Sequence, residues 1–273
     1  MPELPEVETT CRGIAPIITD RQIIKCTIYQ PQLRWTITDS LPSKLQKQCI
    51  QSVSRRAKYI QIHLANGTLL IHLGMSGYLR IDQTMAPLKK HDHFELCFDN
   101  QLSLRLNDSR RFGAVIWSEL GQSHQVLDQL GPEPLTDQFN ADYLCNALKN
   151  RRVAIKKAIM NSHIVVGVGN IYANEALFLS GIHPKTPVHG LSRQQLNRLV
   201  AHIKNVLQRA IEQGGTTLKD FRQIDSRPGY FQQKLQVYGK DGQPCPNCQT
   251  MLESIRIDQR QTVFCRQCQP YEP

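Results

Sequence analysis

The 273-residue chain is 40% hydrophobic and 21% charged, with 33 Lys and Arg against 23 Asp and Glu and a formal net charge of +10. That apolar content suits two domains of ordinary size or one large domain with a small appendage, and the positive balance favours a polyanionic partner, nucleic acid first. No uncharged apolar run approaches the ~18 to 20 residues that span a bilayer, and Glu3, Glu6 and Glu8 sit where a signal peptide would be basic, so the reading is a cytoplasmic protein without membrane partners.

In chain order, residues 6–18 form a short helix that Pro5 starts and Pro16 disturbs. From about Ile23 to Trp117, short β-branched and apolar runs alternate with turn residues: IIKCTIY, KYIQIHL, GTLLIHLGM, HFELCF, QLSLRL and AVIW. These runs suit strands of a sandwich or barrel. Asn66-Gly67 and Asp99-Asn100 supply hairpin turn chemistry between them. After Gly131-Pro132-Glu133-Pro134 the period lengthens, and DYLCNALKN, RVAIKKAIM, NIYANEALFLSG and SRQQLNRLVAHIKNVLQRAIEQGG read as helices. The last has Ser192 as N-cap, an apolar face of Leu196, Leu199, Val200, Ile203, Val206, Leu207 and Ile211, and a Gly214-Gly215 stop. Residues 216–230 are polar and basic, too long for an idle connection, and read as a functional loop. Residues 236–269 return to short strand-like pieces.

Nine cysteines are present. Cys11, Cys26, Cys49, Cys97 and Cys145 are scattered singly and read as reduced, mostly buried thiols rather than a disulfide framework. Cys245-x2-Cys248 and Cys265-x2-Cys268 have the spacing of a closed four-thiolate site for one structural Zn2+, holding a hairpin too small to bury its own core. A redox dithiol pair is the alternative, and it lacks the usual βαβ setting. Arg256, Arg260 and Arg266 on or beside the hairpin suit it to DNA.

Other local signals are weaker taken one at a time. In VVGVGNIYANE, glycines 167 and 169 precede Asn170 at a helix start, whose outward N–H groups suit a phosphate; a tight turn is the plainer reading. Arg110-Arg111-Phe112 and the HLGMSG segment with Met75 contain residues able to enter a duplex where a base has left, against ordinary strand-end packing. Arg55-Arg56-Ala57-Lys58 reads as a solvated basic edge, and His91-Asp92-His93 lacks the further ligands of a metal site.

The first residues carry the sharpest chemistry. Pro2 is small enough for removal of Met1, which would expose a secondary amine, and α-amino groups titrate near 7.7 to 8.0 rather than the ~10.4 of lysine. Such an amine can attack C1′ of a deoxyribose, and the resulting iminium acidifies the C2′ proton so that phosphate is eliminated. Glu3, one residue away, is placed to protonate the sugar ring oxygen or shuttle protons.

PELPEVE, RRAKYI, HLGMSG, KHDHFEL, RRFGA, LGPEPL, VVGVGNIYANEALF, GIHP, GGTTLKDF, QVYG and the four-cysteine finger follow one another over nearly the whole chain. Together they resemble the bacterial formamidopyrimidine-DNA glycosylase family, the 8-oxoguanine DNA glycosylases. The sister endonuclease VIII-like enzymes tend to have Gly where this chain has Leu4 and to lack the Arg-Phe wedge. The resemblance implies a bifunctional base-excision-repair enzyme that removes oxidised purines from duplex DNA and nicks the strand by β,δ-elimination. In it Pro2 is the Schiff-base nucleophile, Glu3 the proton donor, and Lys58 holds a phosphate beside the lesion. Asn170 and Arg260 grip the backbone, and Met75, Arg110 and Phe112 fill the vacated space, Arg110 facing the orphaned cytosine. His91, Lys156 and Tyr238 complete the expected DNA-contacting set, Glu6 and Glu175 match family motifs, and the 216–230 loop corresponds to a cap over the extruded base. Departures are Cys11 in place of a basic residue, Asn161-Ser162 in place of an acidic one, and the QPYEP tail.

The expected fold is α+β: an N-terminal β-sandwich with flanking helices over 1–130, a helix-two-turn-helix region over 131–230, and a four-cysteine zinc hairpin over 231–273, acting as a monomer with damaged DNA in a basic cleft. The alternative from another class is a zinc-dependent DNA-binding module without catalysis, in which Pro2-Glu3 merely starts a helix.

Overall fold

The computed structural model describes residues 2–214 and 235–271. The chain divides into two compact units, one of residues 1–128 with 213–232, the other of 129–212 with 233–273.

The first unit begins with α1 (Leu4–Ile18), whose Leu4, Val7, Cys11, Ile14 and Ile18 recur at helical spacing and are all buried. The Glu6 carboxylate accepts the Glu3 backbone N–H at 2.9 Å, satisfying a donor that a helix start leaves orphaned. Pro16 does not break this helix. It lies on the exposed face, where water can take the carbonyl its missing N–H leaves unbonded, and the helix closes with Thr19 N–H on Ala15 O at 3.0 Å.

Two four-stranded antiparallel sheets follow. One orders β1 (Ile23–Ile28), β6 (Asp92–Phe98), β7 (Leu102–Asn107) and β5 (Tyr78–Gln83); the other orders β2 (Ile50–Arg56), β3 (Tyr59–Leu64), β4 (Gly67–His72) and β8 (Ala114–Glu119). Ile23, Phe94, Leu96, Leu104 and Leu106 of the first share one core with Ile60, Ile62, Leu69, Ile71 and Val115 of the second and with Val7, Ile14 and Ile18 of α1. That is a sandwich with a helix sealing it. The short α2 (Leu41–Leu45) and α3 (Gln125–Asp128) complete the unit.

Strands β2 and β5, and the helices α2 and α3, were not expected. β2 ends in Arg55-Arg56, and in β5 the buried side chains include Arg80, which forms a two-pronged ion pair with Asp92. Arg105, 2% exposed, bonds Glu95 at 2.5 Å and Asp82 at 3.2 Å and also reaches the carbonyls of Thr84, Ala86 and Pro87. Burial pushes Asp92 and Glu95 upward, but hydrogen bonds from Arg80, and from Tyr29 and Arg105, carry both below the usual carboxylate range. Charged residues thus occupy positions that a hydrophobic period would assign elsewhere.

In the second unit, α4 (Ala141–Leu148) is capped by Asn140, whose side chain accepts Tyr143 N–H at 2.9 Å. α5 (Ile155–Ile159) precedes α6 (Asn170–Ser180), which is buried on nearly all sides and ends at Gly181, φ +67°, a left-handed conformation that glycine adopts without strain. α7 (Arg193–Glu212) packs on α6 and α4. Its expected apolar face is buried throughout, and Ser192 and Gln195 cap its start reciprocally at 2.8 and 3.2 Å. The hairpin of β9 (Glu253–Ile257) and β10 (Arg260–Phe264) shares a small core with Phe178 of α6: Val237, Cys245, Leu252, Val263 and Cys265.

His72, at the end of β4, yields a pH prediction. Burial, with Lys58 and Arg34 nearby, lowers its pKa to about 4, and its Nδ1 accepts Gly74 N–H at 3.0 Å. An unfolded histidine titrates near ~6.5, so between that pH and about 4 the unfolded chain binds the extra proton and stability falls as pH falls. The slope is at most about 1.4 kcal/mol per pH unit. His72→Asn, which keeps an acceptor near the Nδ1 position, should flatten this part of the urea-denaturation profile between pH 6.5 and 4.5; an unchanged slope refutes the assignment.

Candidate functional site

Pro2 lies directly before α1, and behind it Glu3 and Glu6 are 2% and 0% exposed. Carboxylates are favoured at a helix N-terminus by the positive end of its dipole. Glu8, further along the same helix, accepts Arg55 Nε at 2.9 Å, and the same guanidinium donates to Ala57 O at 2.9 Å. Burial raises the Glu8 pKa, but hydrogen bonds from Arg12 and Arg55 outweigh that and hold it low. Ala57 (φ +54°) and Lys58 are the two-residue turn between paired Arg56 and Tyr59, so this bridge ties the first turns of α1 to the turn that presents Lys58. The expected basic edge is therefore partly enclosed, with Lys58 half-buried. The rings of Tyr59 and His72 meet at a 54° tilt with their centres 4.9 Å apart. With His72 neutral and its Nδ1 accepting Gly74 N–H, the proton resides on Nε2 as an uncharged donor.

Met75 and Phe112 are 37% and 45% exposed, large apolar side chains at the surface. Arg110 lies over the Phe112 ring at 4.9 Å. His91 is half-buried with φ +73°, and its carbonyl accepts Asp108 N–H at 3.0 Å. Asp92, next to it, is consumed by Arg80, Asn107 and the Lys89 N–H, which leaves nothing of a His-Asp-His metal site.

In the second unit, Asn170 opens α6 and its Nδ2 donates to Gln261 O of the hairpin at 3.0 Å. Lys156 is 1% exposed, with Nζ at 2.6 Å from both Asn170 Oδ1 and Thr262 Oγ1. Lys156, expected among the DNA contacts, braces Asn170 against β10. Arg260 is exposed beside the Asp258-Gln259 turn (φ +46° and +61°). A groove of about 210 Å³ runs between α5 and this turn, lined by Lys156, Lys157, Met160, Asn161, Asp258 and Arg260. Asn161, where an acidic residue was expected, caps its own turn by accepting His163 N–H at 3.0 Å.

Glu175 accepts the backbone N–H groups of Gln236, Val237 and Tyr238 at 2.8, 2.9 and 2.8 Å. Burial pushes this carboxyl upward against those three donors. It fixes the backbone of Tyr238, whose side chain is half-buried. Asn174 Oδ1 accepts Val263 N–H at 2.7 Å, so α6 holds both the 236–238 segment and the hairpin. Neither carboxylate clamp nor lysine brace has a local sequence signal, because the partners lie 61 and 106 residues away.

The sulfurs of Cys245, Cys248, Cys265 and Cys268 all lie within 4.8 Å of one another, two of the edges being 3.8 and 3.4 Å. A zinc–thiolate tetrahedron with bonds of about 2.3 Å has edges of roughly 3.8 Å. The four residues fit one structural Zn2+ and leave no position for water. Of the scattered cysteines, Cys11, Cys26 and Cys97 are buried as expected, while Cys49 and Cys145 are exposed. Residues 216–230, expected as a capping loop, lie outside the described residues. Among the described residues, no helix is long and apolar enough to cross a membrane.

Three family models match the chain: the formamidopyrimidine-DNA glycosylase N-terminal domain over residues 1–115, the H2TH domain of the same enzyme over 130–222, and the zinc finger found in FPG and IleRS over 242–270. Formamidopyrimidine-DNA glycosylase of Hydrogenovibrio crunogenus is 53% identical over 270 residues, covering 98% of this chain and 96% of that protein. Its counterpart from Vibrio cholerae is 53% identical over 269 residues, covering 98% and 100%. Among solved structures, Lactococcus lactis Fpg in complex with DNA containing an abasic site is 33% identical with a TM-score of 0.92, covering 98% of this chain and 100% of that one. MutM (Fpg) from Thermus thermophilus is 33% identical with a TM-score of 0.88 over the full length of both. With the N-terminal sandwich, the helical domain and the zinc finger each matched in order, this chain belongs to the formamidopyrimidine-DNA glycosylase family.

Proposed function

We propose that this protein is a DNA glycosylase of base excision repair with an associated lyase activity, removing oxidised purines such as 8-oxoguanine and formamidopyrimidines from duplex DNA. The carrying observation is the start of the chain: a proline imino position fixed at the head of α1, backed by buried Glu3 and Glu6 and tied through Glu8 and Arg55 to the turn of Lys58. In the chain without Met1, the Pro2 nitrogen attacks C1′ of the damaged nucleotide while Glu3 protonates the ring oxygen and the base leaves. The open-chain iminium makes the C2′ proton acidic; its removal expels the 3′ phosphate, a second elimination expels the 5′ phosphate, and hydrolysis frees Pro2. Lys58 and the neutral Nε2–H of His72 hold the phosphate beside the lesion, one as a charge and one as an uncharged donor. Met75, Arg110 and Phe112 occupy the space left by the extruded nucleotide, and Arg110 hydrogen-bonds the orphaned base. Asn170 and Arg260 grip the backbone, with Lys156 and the zinc hairpin holding them in place; His91 and Tyr238 are further DNA contacts.

Three measurements test this reading. Borohydride should trap the Met1-free protein covalently on duplex DNA holding 8-oxoguanine opposite cytosine, whereas Pro2→Gly or a Met1-retaining chain should bind the DNA without being trapped. Normal strand cleavage by a Met1-retaining chain refutes the nucleophile, whereas DNA binding by the Met1-free protein with neither trapping nor cleavage leaves the non-catalytic alternative. Arg260→Ala should weaken binding evenly across sequences and reduce the slope of log K against log salt by about 0.9, as loss of one phosphate contact does. Cys248→Ser or zinc chelation should lower duplex affinity by at least tenfold while the far-ultraviolet signature of the sandwich persists; unchanged affinity after verified zinc loss removes the hairpin from DNA binding.

A further inference from the structure

We infer that the Ser76–Asp108 hydrogen bond locks the Met75 loop and the Arg110–Phe112 loop into a single rigid wedge, making Asp108 a positioning residue for extrusion of the damaged nucleotide. The inference rests on the glycosylase reading above.

The topology brings the two loops together. His72 at the end of β4 pairs with Ala114 at the start of β8, so the 73–77 loop leaves the sheet where the 108–113 segment arrives. Gly74 sits at φ +63°, and a Cβ there would lie 2.4 Å from the Phe112 carbonyl carbon, so the two backbones touch. Only a residue without a side chain permits that approach.

Asp108 joins them chemically. Its side chain is completely buried, 0% exposed. Oδ1 accepts the Ser76 hydroxyl at 2.7 Å and the Arg110 N–H at 3.3 Å, and Oδ2 accepts the Gly113 N–H at 2.7 Å. One carboxylate therefore holds both ends of the Arg110–Phe112 segment and the residue next to Met75. Its backbone extends the same node: the N–H donates to His91 O at 3.0 Å and the carbonyl accepts His93 Nε2–H at 2.7 Å. Every side-chain partner is a donor to an acceptor-only group, so an amide at this position must set its NH2 against another donor.

A wedge does mechanical work only if load on its tip is not dissipated by sliding of its parts. Met75 and Phe112 are carried on separate loops, and replacing a stacked base requires them to advance together. The buried carboxylate supplies that coupling without touching DNA.

The test separates extrusion from chemistry by using two duplexes, one with 8-oxoguanine opposite cytosine and one with a preformed abasic site, which has no base to extrude. Asp108→Asn should slow single-turnover base excision at least tenfold, and Ser76→Ala three- to fivefold. The rise of 2-aminopurine fluorescence beside the lesion should slow by the same factors. Borohydride trapping on the abasic duplex should stay within twofold of the unaltered protein for both variants. Equal losses on the two duplexes, or no loss on either, overturn the inference, and Ser76→Ala keeps it testable if Asp108→Asn does not fold. Failure of the unaltered protein to be trapped on the abasic duplex sinks the Schiff-base reading and this inference with it.

Discussion

The nucleophile proposed above is the Pro2 nitrogen, and that role requires the part of a chain that ordinarily frays to be immobilised. Here the anchoring is done by α1. Leu4 is fully buried and Val7 enters the sandwich core within the first turn, Glu6 takes up the Glu3 N–H, and Glu8 is fastened through Arg55 to the neighbouring turn. Two carboxyl groups, Glu3 and Glu6, are buried beside that nitrogen at the positive end of the helix dipole. The crowded opening PELPEVE is the sequence record of this requirement.

The second unit meets a different demand, the rigid presentation of a few donors. α6 is a structural spindle: Asn170 and Asn174 bond the zinc hairpin, while Glu175 gathers three consecutive N–H groups of the 236–238 segment. Zinc supplements the small core that Val237, Leu252 and Val263 form with Phe178. Polar side chains that look like ligand contacts in a motif are here largely committed to one another. In the proposed reading the helix start, the exposed Arg260 and the adjoining groove receive the phosphates.

Regular elements were legible where apolar residues either keep one period, as on the α7 face and along β3, or form short largely buried runs between turn residues, as in β4, β6, β7 and β8. The four cysteines declare themselves because their spacing is local. β2 and β5 were hidden because Arg55, Arg56, Arg80 and Asp82 interrupt the apolar alternation, and partners distant in sequence help make their burial tolerable, Glu8 of α1 for Arg55 and Asp92 of β6 for Arg80. α1 runs through Pro16 because the ring faces solvent. The same limit applies to the site. Pro2, Lys58, Met75, Arg110 and Phe112 stand in recognisable short motifs, whereas the burial of Lys156 behind Asn170, the neutral state of His72 and the convergence on Asp108 depend on residues far apart in the chain.

The loop between β5 and β6 has one more implication. Arg105 collects the carbonyls of Thr84, Ala86 and Pro87 from beneath, yet Met85 between them is 92% exposed. The stem is stiff and the tip is bare. A fluorophore or spin label attached at Met85 would stand in solvent on a backbone held from beneath, giving this enzyme a ready handle for optical or magnetic observation.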